Sequence, residues 1–159
     1  MRVAVIVLTM IMLAPGALAQ SKHPGAEATK DIEDCVKVAA GPGPDMPAAA
    51  KCIGIVSAPC LKNANSTADM NRCYDRETAV WDDILNETYR RLGEKLDDGQ
   101  RGKLRDMQRA WIASRDKTCH FYWDFYQGTM ASPMAAACVN RETAQRALFL
   151  LGFLYDQGK

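Results

Sequence analysis

The sequence predicts an all-α protein, an antiparallel three-helix core preceded by a disulfide-stapled N-terminal helical hairpin. Three observations predict it. Three long segments repeat apolar residues at three- and four-residue intervals, the mark of a helix with one buried stripe. No segment shows the alternation of a half-buried strand. Six cysteines stand at 35, 52, 60, 73, 119 and 138, none in a Cys-x-x-Cys pair. An even cysteine count in a short exported chain reads as a disulfide framework rather than a metal or redox site.

The export signal is the first element. Arg2 supplies a positive charge, Val3 to Leu13 are apolar, Pro15-Gly16 break the run, and Ala17-Leu18-Ala19 end it with small residues. Residues 1–19 are therefore expected to be a signal peptide cleaved after Ala19. The apolar run is too short for a stable span of the hydrocarbon core, which takes roughly 20 residues. No cysteine follows the cleavage position to carry a lipid. Without Arg2, basic and acidic residues balance, so no global field steers the chain toward nucleic acid or an anionic surface. The expected location is periplasmic or secreted.

Residues 20–30 are small and polar and are expected to form a flexible tail. Residues 31–62 are expected to form a Cys-stapled helical extension. Asp31 to Ala40 is a short helix stopped by Gly41-Pro42-Gly43-Pro44, and Pro47 suits the first turn of a second one reaching Ser57. Many connectivities are open to six cysteines. The sequential one is preferred, with Cys35–Cys52 closing the hairpin, Cys60–Cys73 closing the turn that follows, and Cys119–Cys138 remaining.

Residues 63–159 form the expected core domain. Ser66 or Thr67 caps a helix whose inner face carries Met70, Tyr74, Trp81, Ile84, Leu85, Tyr89 and Leu92. Asp97-Asp98-Gly99 turns the chain. A second helix from about Gln100 to Tyr122 aligns Leu104, Met107, Gln108, Trp111, Ile112, Arg115 and Cys119. Gln108 and Arg115 share the stripe with Trp111 and need partners, because a buried unpaired guanidinium is costly. Glu77 is the acceptor expected for Arg115. An aromatic loop containing Tyr122, Trp123, Phe125 and Tyr126 then leads to a third helix from Pro133 to Asp156. That helix is apolar nearly all round from Ala147 to Tyr155, which suits a central or interface helix.

Asn71-Arg72-Cys73-Tyr74, then Trp81-Asp82-Asp83-Ile84-Leu85-Asn86-Glu87-Thr88-Tyr89, then Gln108-Arg109-Ala110-Trp111-Ile112-Ala113-Ser114-Arg115-Asp116-Lys117-Thr118-Cys119 stand in order. Gly128-Thr129, Cys138, Glu142-Thr143 and Arg146 complete them. This ordered set resembles the LprI-type lysozyme-inhibitor family of small exported bacterial helical domains. The resemblance covers roughly Cys73 to Leu151. It implies an envelope or secreted protein that binds lysozyme or another envelope protein. It also implies a scaffold role for Trp81, Leu85, Asn86, Tyr89, Gln108, Trp111, Arg115 and Asp116. The segment bearing Cys35, Cys52 and Cys60 is additional to the family pattern.

Catalysis lacks materials. The two histidines are His23 and His120, and no nucleophile elbow, phosphate loop or metalloprotease motif occurs. No cofactor or metal is expected. A lysozyme cleft works with two carboxyl groups in a sugar-binding groove, and an inhibitor needs only a rigid protrusion that fills it. Tyr122, Trp123, Phe125 and Tyr126 are the expected partner-binding residues, because aromatic anchors dominate interface energetics and a disulfide preorganises them. The alternative is a structural or assembly module of the cell envelope that binds a protein partner.

Overall fold

Ser66 fixes where the core begins. Its side chain accepts the Asp69 backbone N–H at 3.1 Å and its hydroxyl donates to the Asp69 carboxylate at 2.7 Å, satisfying a donor that a helix start leaves orphaned. From this cap α4 runs Thr67–Lys95. Asp97 then makes a reciprocal cap with Gln100, at 2.7 Å for the carboxylate and 3.1 Å for the side-chain amide. Helix α5, Asp98–Tyr126, thus starts two residues before its expected position. Helix α6 spans Ala131–Asp156. The chain is known from a computed structural model that describes residues 25–41 and 46–156. No strand occurs among the described residues, and the all-α class and three-helix core are as predicted.

Side-chain bonds set the directions. Asn71 donates to Ser132 at 2.6 Å near the starts of α4 and α6, and Glu77 and Thr78 meet Asn140 further along. Helices α4 and α6 therefore run in the same direction, with α5 returning between them in sequence. Helix α6 is the central element, packing along both α4 and α5. The core joins Val80, Trp81, Leu85 and Leu92 of α4, Leu104 of α5, and Ala144, Ala147, Leu148, Leu150 and Leu154 of α6. Helix α5 fully buries only Leu104 and Cys119, so most of its surface is open.

The N-terminal extension folds as α1, Ala26–Ala40, α2, Met46–Ala49, a 3₁₀ turn over Ala50–Cys52, and α3, Ser57–Leu61. Ala28, Ile32, Val36 and Ala40 recur every fourth residue and are buried. That stripe draws residues 26–30, expected as the end of the tail, into the first turns of α1. The proposed signal peptide, the tail before Gly25, His23 and Pro42-Gly43-Pro44 lie outside the described residues. The disulfides are Cys35–Cys52, Cys60–Cys73 and Cys119–Cys138, the sequential scheme. With separations of 17, 13 and 19 residues, each contributes about 3 kcal/mol in the chain-entropy account.

The second short helix expected from Pro47 to Ser57 does not form as one piece. Gly54 takes a left-handed φ of 98°, open to glycine at little cost. The turn around it aims three backbone N–H groups at the Glu77 carboxylate: Gly54 at 2.6 Å, Val56 at 3.1 Å and Ser57 at 2.6 Å. Trp81 Nε1 and Asn140 Nδ2 add donors at 3.1 and 3.3 Å. A continued helix would have committed those N–H groups to its own carbonyls. Glu77 is fully buried and serves as the bolt that fastens the extension to α4 and α6. The exposed pairs of Arg90 with Glu87 and Glu94 matter far less, since such pairs contribute at most about 1 kcal/mol each.

Candidate functional site: the aromatic end of α5

Cys119 and Cys138 are both buried and lock the last turns of α5 to the first turns of α6. Beyond this staple the chain stays helical. Tyr122, Trp123, Phe125 and Tyr126 belong to α5 itself, which corrects the expected loop. The helix persists because nothing before Gln127 breaks it; Gln127 then takes a left-handed φ of 43° and ends it. Only 127–130 connect to α6.

Helical spacing decides which aromatics meet. Phe121 and Phe125, four apart, place ring centroids 5.9 Å apart, and Tyr122 stacks on Tyr126 at 5.8 Å. Phe125 meets Tyr126 edge-on at 5.0 Å. Phe121 is 60% and Phe125 65% exposed, Trp123 47%, Tyr126 46% and Met130 48%. Tyr122 alone of the group is half-buried. Scattered exposed apolar residues are ordinary, whereas a contiguous aromatic patch marks an interaction surface. Phe121, in contact with Phe125, joins the expected residues in that patch, while Trp123 and Met130 are exposed close by in the sequence. The signal for Phe121 was its four-residue spacing from Phe125. Replacing Cys119 and Cys138 by serine is expected to lower stability by about 3 kcal/mol, read as a lower denaturation midpoint with the other two disulfides intact.

The expected scaffold residues divide between two sites. Trp81 and Leu85 are buried in the core and Tyr89 packs against it, while Asn86 is exposed and donates to Asp82 at 3.0 Å. Gln108, Trp111, Arg115 and Asp116 gather instead on the α5 face toward α6. Gln108 Oε1 accepts from Arg146 Nε at 2.8 Å. Arg115 and Arg146 both lie over the Trp111 ring, at 5.0 and 5.5 Å from its centroid. Arg115 pairs with Asp116 at 2.9 Å and reaches Thr143 at 3.4 Å. The expected Arg115–Glu77 pair does not form, because five donors from the extension, α4 and α6 surround Glu77.

Two buried ionisable groups stand out among the described residues, Glu77 and Arg146. Burial pushes the Glu77 carboxyl up, but its backbone and indole hydrogen bonds outweigh this and hold it below the usual carboxylate range. Burial pulls Arg146 down from its ordinary value. His120 is exposed near the end of α5. A groove of about 630 Å³ between α1, α4 and α6 is lined by Glu33, Lys37, Asp83 and Arg91 among others, a mixed set with no converging chemistry. Among the described residues no three His, Cys, Asp or Glu side chains are placed to hold a metal ion, and no helix is long and apolar enough to cross a membrane.

No curated protein and no solved structure matches the chain. The model of the family described as lysozyme inhibitor LprI matches residues 60–150, which take in α4, α5 and most of α6. More than half of the sequence is covered, and the chain belongs to the LprI lysozyme-inhibitor family.

Proposed function

We propose that this protein is an exported helical binding protein that inhibits lysozyme by occluding its cleft, without catalysis of its own. The exposed aromatic cluster of Phe121, Phe125 and Tyr126, with Trp123 exposed beside it on the end of α5 and Cys119–Cys138 stapling its base, is the observation that carries this reading. Family membership supports the choice of lysozyme as target. Three disulfides suit an oxidising compartment outside the cytoplasm, in keeping with a periplasmic or secreted location. Residues 63–159 are the inhibitor domain, and residues 31–62 are an extension that stiffens it.

The aromatic end presents large rigid side chains at low entropic cost. It fills a sugar groove by shape, displacing substrate from the two carboxyl groups of the enzyme. Titration of the oxidised protein against lysozymes of several types, followed by cell-wall lysis rate, is expected to show saturable slowing at micromolar or lower protein. An unchanged lysis rate at that concentration with every lysozyme contradicts the proposal. The envelope-module reading rests on Phe149, Phe153 and Tyr155, each nearly half exposed on α6. A concentration-dependent mass increase by light scattering, without lysozyme inhibition, favours it.

A further inference from the structure

We propose that the cleft between α5 and α6 at Arg146 is a receptor for one protruding carboxylate side chain of a protein partner, separate from the aromatic end of α5. Arg146 is only 9% exposed. Its Nε is spent on Gln108, its buried Nη2 has no acceptor, and no ion pair among the described residues includes it. A desolvated guanidinium without a counter-ion is costly to keep. The carboxylates on the two helices are placed otherwise: Asp116 is 60% exposed and engaged by Arg115, and Glu142, four residues before Arg146 on α6, lies 3.7 Å from Arg141.

The surroundings specify the occupant. The Arg146 guanidinium lies 5.5 Å from the Trp111 centroid and 5.1 Å from that of Phe149, so two rings wall it. Phe149 is 46% exposed and meets Phe153 edge-on at 5.0 Å, which makes it the wall that can swing aside. Arg115 adds a second positive charge on the same indole. Phe149 and Phe153 form an exposed apolar rim at 46% and 47%. A free small anion would leave that rim in water. A carboxylate borne by a protein surface would cover it, combining a charged centre with excluded water as interface anchors do. The depth of Arg146 requires the carboxylate to stand out on a flexible side chain, unlike the recessed carboxyl groups of a lysozyme cleft.

The test uses the oxidised full chain, labelled with ¹⁵N and observed at the arginine Nε–H and tryptophan indole signals. The probe is a blocked peptide Ala-Leu-Glu-Leu-Ala, compared with its glutamine counterpart and with sodium acetate at equal concentration. The glutamate peptide is expected to shift the Arg146, Arg115 and Trp111 signals to saturation, binding at least about tenfold more tightly than the glutamine peptide, with acetate giving no saturable shift. Phe149→Ala, at an exposed position that leaves the core intact, is expected to weaken the glutamate peptide, as is Arg146→Lys. Equal response to both peptides overturns the carboxylate, and an equal response to acetate overturns the protein partner. Lysozyme is absent from this measurement, so its failure leaves the α5 reading standing, and the converse holds.

Discussion

Glu77→Gln is expected to destabilise the folded protein by about 3–5 kcal/mol, the range for breaking a buried charged network by altering one member. The carboxylate oxygens accept five hydrogen bonds, three of them from the backbone of the turn at Gly54 to Ser57. Glutamine offers one oxygen and an amide that turns N–H against N–H, leaving at least one buried donor unsatisfied. A domain is stable by only about 5–15 kcal/mol, so the loss is a large share, on the order of 10–20 °C in Tm by thermal denaturation. The pH dependence has a definite sign. The folded-state pKa of Glu77 lies below the unfolded value, so its contribution is complete above the ordinary carboxylate range and is lost as pH falls through the lowered folded value. The wild type is expected to lose this contribution in acid, and the Gln variant to lack it at every pH. A change below about 1 kcal/mol at neutral pH would show that Glu77 does not secure the extension.

Trp123→Ala combined with Phe125→Ala is expected to leave the fold unchanged and to cut lysozyme inhibition about 30- to 1,000-fold. Both side chains are largely exposed, at 47% and 65%, and belong to no core cluster, so stability should move by less than about 1 kcal/mol. Truncating aromatic anchors of an interface costs a few kcal/mol, and a combined loss of about 2–4 kcal/mol for the pair sets the expected fall in potency. Parallel melting curves and lysis-rate titrations separate the two quantities. Potency equal to wild type would move the binding face away from the end of α5.

The long helices were legible because burial imposes its period on the residues: Val80, Trp81, Leu85, Thr88 and Leu92 on α4 follow it without help from any partner. Ser66 announced its cap by residue type, whereas Asp97 was read as part of a turn and its reciprocal cap with Gln100 moved the start of α5 forward. The start of α1 was hidden, since Ala26 and Ala28 carry little hydrophobic signal and declare themselves only beside Ile32 and Val36. Glu77 was the acidic residue singled out, yet with the wrong partner. Its donors are mainly backbone groups of an irregular turn, and backbone donors leave no trace in residue identity. The aromatic run was visible as composition, but whether it formed a loop or a helix depended on where Gln127 ended α5. Gln108, Trp111 and Arg115 were correctly placed on one stripe. The uncompensated charge of Arg146 emerged only once α6 was laid against them.

The account's central claim, that a disulfide-locked helical body inhibits by filling the lysozyme cleft, is tested most directly by competition. Lysozyme is saturated with the oxidised protein, and binding of a soluble N-acetylglucosamine oligomer to the sugar groove is measured by calorimetry. The account predicts mutual exclusion, with the apparent affinity for the oligomer falling in proportion to inhibitor concentration. An oligomer that binds the complex as tightly as it binds free lysozyme would contradict it.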